Sequence, residues 1–157
     1  MKKETKDDFK SVYLLITKCL LNAMLIGGAI ATVVIPFFIK WYGNINEYYS
    51  GSFYIPQTIL FLISGVFSCL IVFELRRIIQ TVDKGDCFVR RNVKSLKYSG
   101  TYGFIIALCT VCRMFLYVTP GAFVVIIVFV LAGLMAKVLA QVFDRAITIK
   151  EDNDLTI

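Results

Sequence analysis

Four separate apolar stretches, each about 20 residues long, fill most of the chain, and that length removes nearly every soluble architecture. A helix rises about 1.5 Å per residue, so some 20 apolar residues cross roughly 30 Å of hydrocarbon. The stretches run at about 19–39, 53–73, 99–118 and 121–142, with a loop at 74–98 and a tail at 143–157. None carries the polar face that a helix in a soluble core needs. The pattern predicts an all-α fold, a four-helix transmembrane bundle forming one integral membrane domain over 1–157. A basic leader and Ala29-Ile30-Ala31 raise the alternative of a cleaved secretory signal. The apolar run continues through Val33, Val34, Ile35, Phe37 and Phe38, which suits a retained span better.

Cations near span ends stay on the cytoplasmic side, so their distribution sets the orientation. Lys2, Lys3, Lys6 and Lys10 precede the first span, and the loop between spans two and three carries Arg76, Arg77, Lys84, Arg90, Arg91, Lys94 and Lys97. The tail adds Arg145 and Lys150, whereas the opposite side holds Lys40. This bias predicts a multi-pass protein of the bacterial cytoplasmic membrane with both termini in the cytoplasm. An aromatic loop at Trp41 to Ser52 and a tight turn at Pro120-Gly121 would face out. The net charge of +6 then reflects topology and anionic headgroups, and no direct nucleic-acid binding is expected.

Within the spans, charge is scarce and each instance needs a reason. Lys18 and Lys137 have stems long enough to snorkel to the inner surface. Arg113 is harder to place, because Arg at a helix centre costs about 2.5 to 3.5 kcal/mol on insertion scales, while strong apolar neighbours return about 0.3 to 0.6 kcal/mol each. Span three should therefore depend on its neighbours, with Arg113 facing the bundle, an outward crevice or the headgroups. Arg113 is the candidate ligand or ion contact. No carboxylate lies deep in a span, which argues against a proton relay, and the chain has no His, so the usual zinc sites and His-dependent triads are unavailable. No catalytic, cofactor-binding or metal-binding residue is expected. Cys109 and Cys112 form a C-x-x-C without a second pair, and Cys87 is expected as a reduced cytoplasmic thiol. Small residues recur four apart as Ala23, Gly27 and Ala31 and as Ala132, Ala136 and Ala140, spacings that mark helix contacts or simply the composition of membrane spans. Trp41, Tyr42, Tyr48, Tyr49, Phe53 and Tyr54 read as interfacial anchors or as a site for a peptide or lipid.

Thr81 to Phe88 is turn-rich, and after it Val89, Val93 and Leu96 share one helical face while Arg90, Lys94 and Lys97 share another. This predicts a short basic amphipathic helix in the cytoplasmic loop, lying at the inner surface and running into span three, with Arg90, Arg91, Lys94 and Lys97 against anionic lipid. The tail carries Glu151, Asp152, Asn153, Asp154 and Leu155. Its acids could meet the basic loop, bind a basic cytoplasmic partner, or stay solvated.

Phe88 with Asn92-Val93-Lys94-Ser95-Leu96-Lys97, and the terminal Ile147 to Ile157 ending Glu151-Asp152-Asn153-Asp154-Leu155-Thr156-Ile157, resemble a family of uncharacterised four-span bacterial membrane proteins, one of the domain-of-unknown-function classes. The chain departs from it at Val89, where the family often has Ser, a residue type that could cap the loop helix. Arg90 and Arg91 then put cations in the first turn, against the helix dipole, unless Asp86 supplies the cap. The resemblance implies membrane location and genes beside small helix-turn-helix regulators. The leading expectation is accordingly a non-enzymatic sensor or anchor acting with such a regulator. The alternative is a small permease, efflux or immunity protein that engages a peptide or anion through Arg113 and the aromatic loop, enclosing its path as a homo-oligomer. A third is a lipid-packing or envelope-stress protein whose basic loop reads headgroup charge.

Overall fold

The computed structural model describes the backbone at residues 4–45, 54–85, 88–116 and 118–154, with side chains from Val12 to Trp41 in the first helix and as far as Asn153 in the last. Four helices make up almost all of it: α1 (Glu4–Ile45), α2 (Tyr54–Asp83), α3 (Arg90–Leu116) and α4 (Pro120–Asp154). Each is long and apolar enough to cross a bilayer. The protein is an all-α, multi-pass membrane protein.

The helices outrun the apolar stretches. With 42 residues in α1 and 35 in α4, they reach about 63 Å and about 52 Å, well beyond roughly 30 Å of hydrocarbon. Most of the segment expected as the loop 74–98 is therefore helix, and the tail from 143 continues α4 as far as Asp154. Hydropathy marks where hydrocarbon ends, while the helix persists because Ile78, Phe143 and Ile147 still have protein to pack on. The chain reverses where local chemistry demands it. Gly85 takes a φ of +84° and its N–H reaches the Val82 carbonyl at 3.1 Å, closing α2 with the left-handed residue that glycine supplies cheaply. Pro120 is the first residue of α4 and not part of a preceding turn; its missing N–H is no loss there, and Thr119 accepts from Ala122 N–H at 2.9 Å.

Successive helices pack antiparallel in a row, α1 on α2, α2 on α3 and α3 on α4. On α1 the contact face is Leu21, Leu25, Gly28, Thr32, Ile35 and Ile39, a seven-residue repeat suited to a left-handed crossing. The stripe Ala23, Gly27 and Ala31 lies on the exposed side, and nothing comes within 4 Å of a side chain built at Gly27. It is not a contact within this chain. On α4 only part of the second stripe packs, with Ala140 fully buried and Ala132 exposed. The backbones of α3 and α4 approach closely at Gly100 and Gly133, where a Cβ on Gly100 would lie 2.9 Å from the Gly133 carbonyl oxygen.

Small and polar side chains share the interior with a few aliphatic ones, while many of the large apolar side chains face outward. Ala122, Ala140, Asn92, Ser95 and Ser99 are buried, whereas Phe37 and Phe115 are exposed. That inversion fits a chain whose solvent is lipid, where close backbone packing rather than exclusion of water drives association. α3 is the least apolar of the four, and 33% of its most apolar window is buried, against 6% in α1 and α2 and 11% in α4. The helix with Arg113 thus sits between neighbours, which shield what lipid would penalise.

Candidate functional site

Two places concentrate chemistry, one at the basic end of the row and one between the helices towards the end that carries Pro36, Pro56 and Pro120. At the basic end the first turns of α3 meet the last turns of α4. Arg90 donates to both carboxylate oxygens of Glu151, from Nη2 at 2.5 Å and from Nε at 3.2 Å, the bidentate fork that suits guanidinium and carboxylate. Asp144 lies 3.8 Å from Arg90 and 3.6 Å from Lys97. The hydrogen bond from Arg90 holds the Glu151 carboxyl below its ordinary range, reinforced by the guanidinium charge and opposed by partial loss of solvent. The same hydrogen bond, with the charge of Glu151, pushes Arg90 up.

This geometry brings two groups of residues together. Arg90 and Lys97, expected to face headgroups, point at acids of α4, and Glu151, expected to face a partner, is held by Arg90. The apolar face of the expected surface helix does not lie open to lipid either. Val93 and Leu96 are buried with Ala140 and Ile147, and Ile78 and Phe143 pack against them. The physical reason is length: because α4 continues as helix, it offers protein where a surface helix would have met acyl chains. Arg91, Lys94, Asp152 and Asn153 are exposed on this end. The side chain of Asp154, and all of Leu155, Asp86 and Cys87, lie outside the described residues.

Beneath the ionic surface runs a buried polar layer that sequence reading missed. Ser95 donates to Glu74 at 2.6 Å, Arg77 donates to the other Glu74 oxygen at 3.1 Å, and Thr81 donates to Asn92 at 2.7 Å. Its signal was visible as a 3–4 spacing of small and polar residues on α3, Asn92, Ser95, Ser99 and Gly103, with Thr110 on the same face two turns further on. Lys18 adds an ion pair to Asp83 at 2.5 Å, tying α1 to the end of α2. Lys137 places its ammonium 5.1 Å from the centre of the Phe104 ring, a neutral aromatic partner inside the apolar region.

The second place is a cavity of about 240 Å³ to which all four helices contribute, Ile35 from α1, Phe61 from α2, Arg113 from α3 and Val125 from α4 among them. Arg113 stands in the last turn of α3, where the carbonyl end of the helix favours a cation, and its guanidinium sits 4.3 Å over the Phe61 ring. Cys109 lines this cavity and Cys112 is exposed. Trp41 packs edge-on against Phe38, while the side chains of Tyr42, Tyr48, Tyr49 and Phe53 from the aromatic loop lie outside the described residues.

None of the curated proteins and none of the solved structures matches the chain. One family model does match, described as "Protein of unknown function (DUF2975)", over residues 24–157. That stretch contains all of α2, α3 and α4 and both segments on which the resemblance rested, and the chain belongs to this family of unknown function.

Proposed function

We propose that this protein is a non-enzymatic sensor or anchor of the bacterial cytoplasmic membrane, with both termini in the cytoplasm, and that its basic end holds a small helix-turn-helix regulator. The observation that carries this reading is the joint platform of α3 and α4. Arg90 begins α3 and Glu151 lies in the last turn of α4, each charge opposing its own helix dipole, and the two cancel across the interface. Helix ends that depend on one another can be pulled apart by a partner that competes for the same charges. Exposed Arg91 and Lys94 beside Asp152 and Asn153 give that partner a mixed-charge, helical surface.

The cation bias of the sequence supports the orientation, and the absence of His and of a phosphate-binding glycine loop in the sequence supports a role without catalysis. The test is a pull-down from membranes using the full chain and a chain ending before Ile147, with transcription of a reporter followed in parallel. The reading expects a DNA-binding protein to be retained by the full chain only, and transcription to change on deletion. No captured regulator together with unchanged transcription rejects it.

A further inference from the structure

The geometry points to a lipid site in the seam between α1 and α2: one anionic phospholipid of the leaflet at the basic end docks there, its phosphate on Arg76 and an acyl chain along the helices. The seam holds two hollows. The one nearer the basic end, about 180 Å³, is lined by Lys18, Leu21, Asn22, Arg76, Ile79 and Gln80. The next, about 490 Å³, is walled chiefly by Leu25, Ala29, Val66, Leu70 and Phe73. Lys18, Leu25 and Thr32 stand seven residues apart on α1, as do Gln80, Phe73 and Val66 on α2. Seven residues make about two turns, so both hollows lie along the same side of the seam. From Lys18 to Thr32 this groove runs about 21 Å at 1.5 Å per residue. Half of a bilayer, headgroups included, is about 20 to 22 Å thick, so the groove has the length of one lipid. A dry cavity of about 150 Å³ holds benzene, and the larger hollow by that measure has room for one acyl chain.

Any pair of membrane helices leaves apolar grooves to lipid, and the polar chemistry at one end singles this groove out. Asp83 compensates Lys18 at 2.5 Å and does not line the hollow. No carboxylate among the described residues lines it, and Arg76 makes no ion pair or hydrogen bond with any of them. A guanidinium there meets phosphate oxygens two at a time through its planar fork of donors. Asn22 and Gln80 are exposed on the rim, and neither has a hydrogen-bond partner among the described residues. Asn22 stands one turn deeper than Lys18, within the apolar stretch, where a carboxamide facing hydrocarbon is costly unless it is paired. The phosphate and ester oxygens of a lipid supply acceptors at that depth. Charge and groove thus select the same occupant, since a free phosphate leaves the apolar hollow unused and an uncharged lipid leaves Arg76 without an anion.

The experiment uses the full chain in detergent micelles doped with phosphatidylglycerol and phosphatidylcholine of identical chains, and native mass spectrometry counts the lipids retained per chain. One phosphatidylglycerol per chain is expected, favoured over phosphatidylcholine by about fivefold or more, the scale of one cation at an anionic surface. Arg76→Gln should erase that preference. Ala29→Phe, which leaves the cations and fills the apolar hollow, should lose the retained lipid. Lys150→Gln removes an equal charge at the basic end, away from the seam, and should keep the preference. The inference falls if the two lipids are retained alike, if Arg76→Gln keeps the preference, if Lys150→Gln loses it as fully, or if Ala29→Phe retains phosphatidylglycerol unchanged. A dimer that sheds phosphatidylglycerol as it forms would give the groove to a second copy and overturn it as well. Because the two lipids compete on the unaltered protein, misfolding of a variant cannot imitate the result. Loss of lipid preference with regulator capture intact removes this inference alone, and the reverse outcome removes the platform alone.

Discussion

Arg90 and Glu151 each sit at the end of a helix that disfavours their charge, and each is stabilised by the other. Both are exposed, so the contact is a weak clasp rather than a weld. Reversing either charge, Arg90→Glu or Glu151→Arg, should speed amide exchange over residues 144–154 by a few fold. The double reversal restores the pair but leaves each dipole satisfied, so it should exchange at or below the original rate. The pH dependence follows from sign. Glu151 titrates lower in the folded protein than in an unfolded chain, so its contribution is complete above the ordinary carboxylate range. It fades as pH falls through the lowered value. Protection of the amides at the end of α4, taken relative to the intrinsic exchange rate at each pH, should therefore fall in acid, and Glu151→Gln should remove its share of that fall.

Among the helices, spacing decides which glycines matter. A Cβ at Gly65 would lie 2.5 Å from Thr32 Oγ1 and 2.7 Å from its Cγ2, and one at Gly100 would meet a backbone oxygen that cannot step aside. Gly65→Ala and Gly100→Ala should each cost about 1–3 kcal/mol of stability in detergent unfolding, the usual scale of overpacking. Gly27→Ala meets nothing and should be neutral or gain up to about 1 kcal/mol from helix propensity. Equal losses at all three positions would contradict the packing described above. The contrast also explains what could be read from sequence. Length and apolarity revealed the four spans, because hydrocarbon thickness is a single number that any spanning helix must meet. A four-residue recurrence identified Ala23, Gly27 and Ala31 but could not say which side of α1 faces α2. The interhelical contacts of α3 were harder still, since Ser95 with Glu74 and Arg113 with Phe61 depend on register between helices, which the order of residues alone does not encode. The pairing of Arg90 with Glu151 stood as one of three readings of the tail, and the continuation of α4 as helix is what brings the two side chains together.

For the molecule as a whole, lipid takes the place of a core. Large apolar side chains such as Phe37, Phe115 and Leu15 face outward, and polar ones are gathered within. If the proposed orientation holds, Lys84→Cys, in the α2–α3 connection, should resist an impermeant thiol reagent applied to intact cells. Thr119→Cys, in the α3–α4 connection, should react, and each position is read in a background lacking the five native cysteines. The reverse pattern would invert the protein and place the charged platform outside the cell. The order of packing has a further consequence for biogenesis. Because each helix leans chiefly on the one synthesised just before it, a newly inserted segment finds its neighbour already waiting in the bilayer. Assembly can keep pace with translation, and Arg113 enters the membrane only after α2 has laid down the aromatic ring that will cover it.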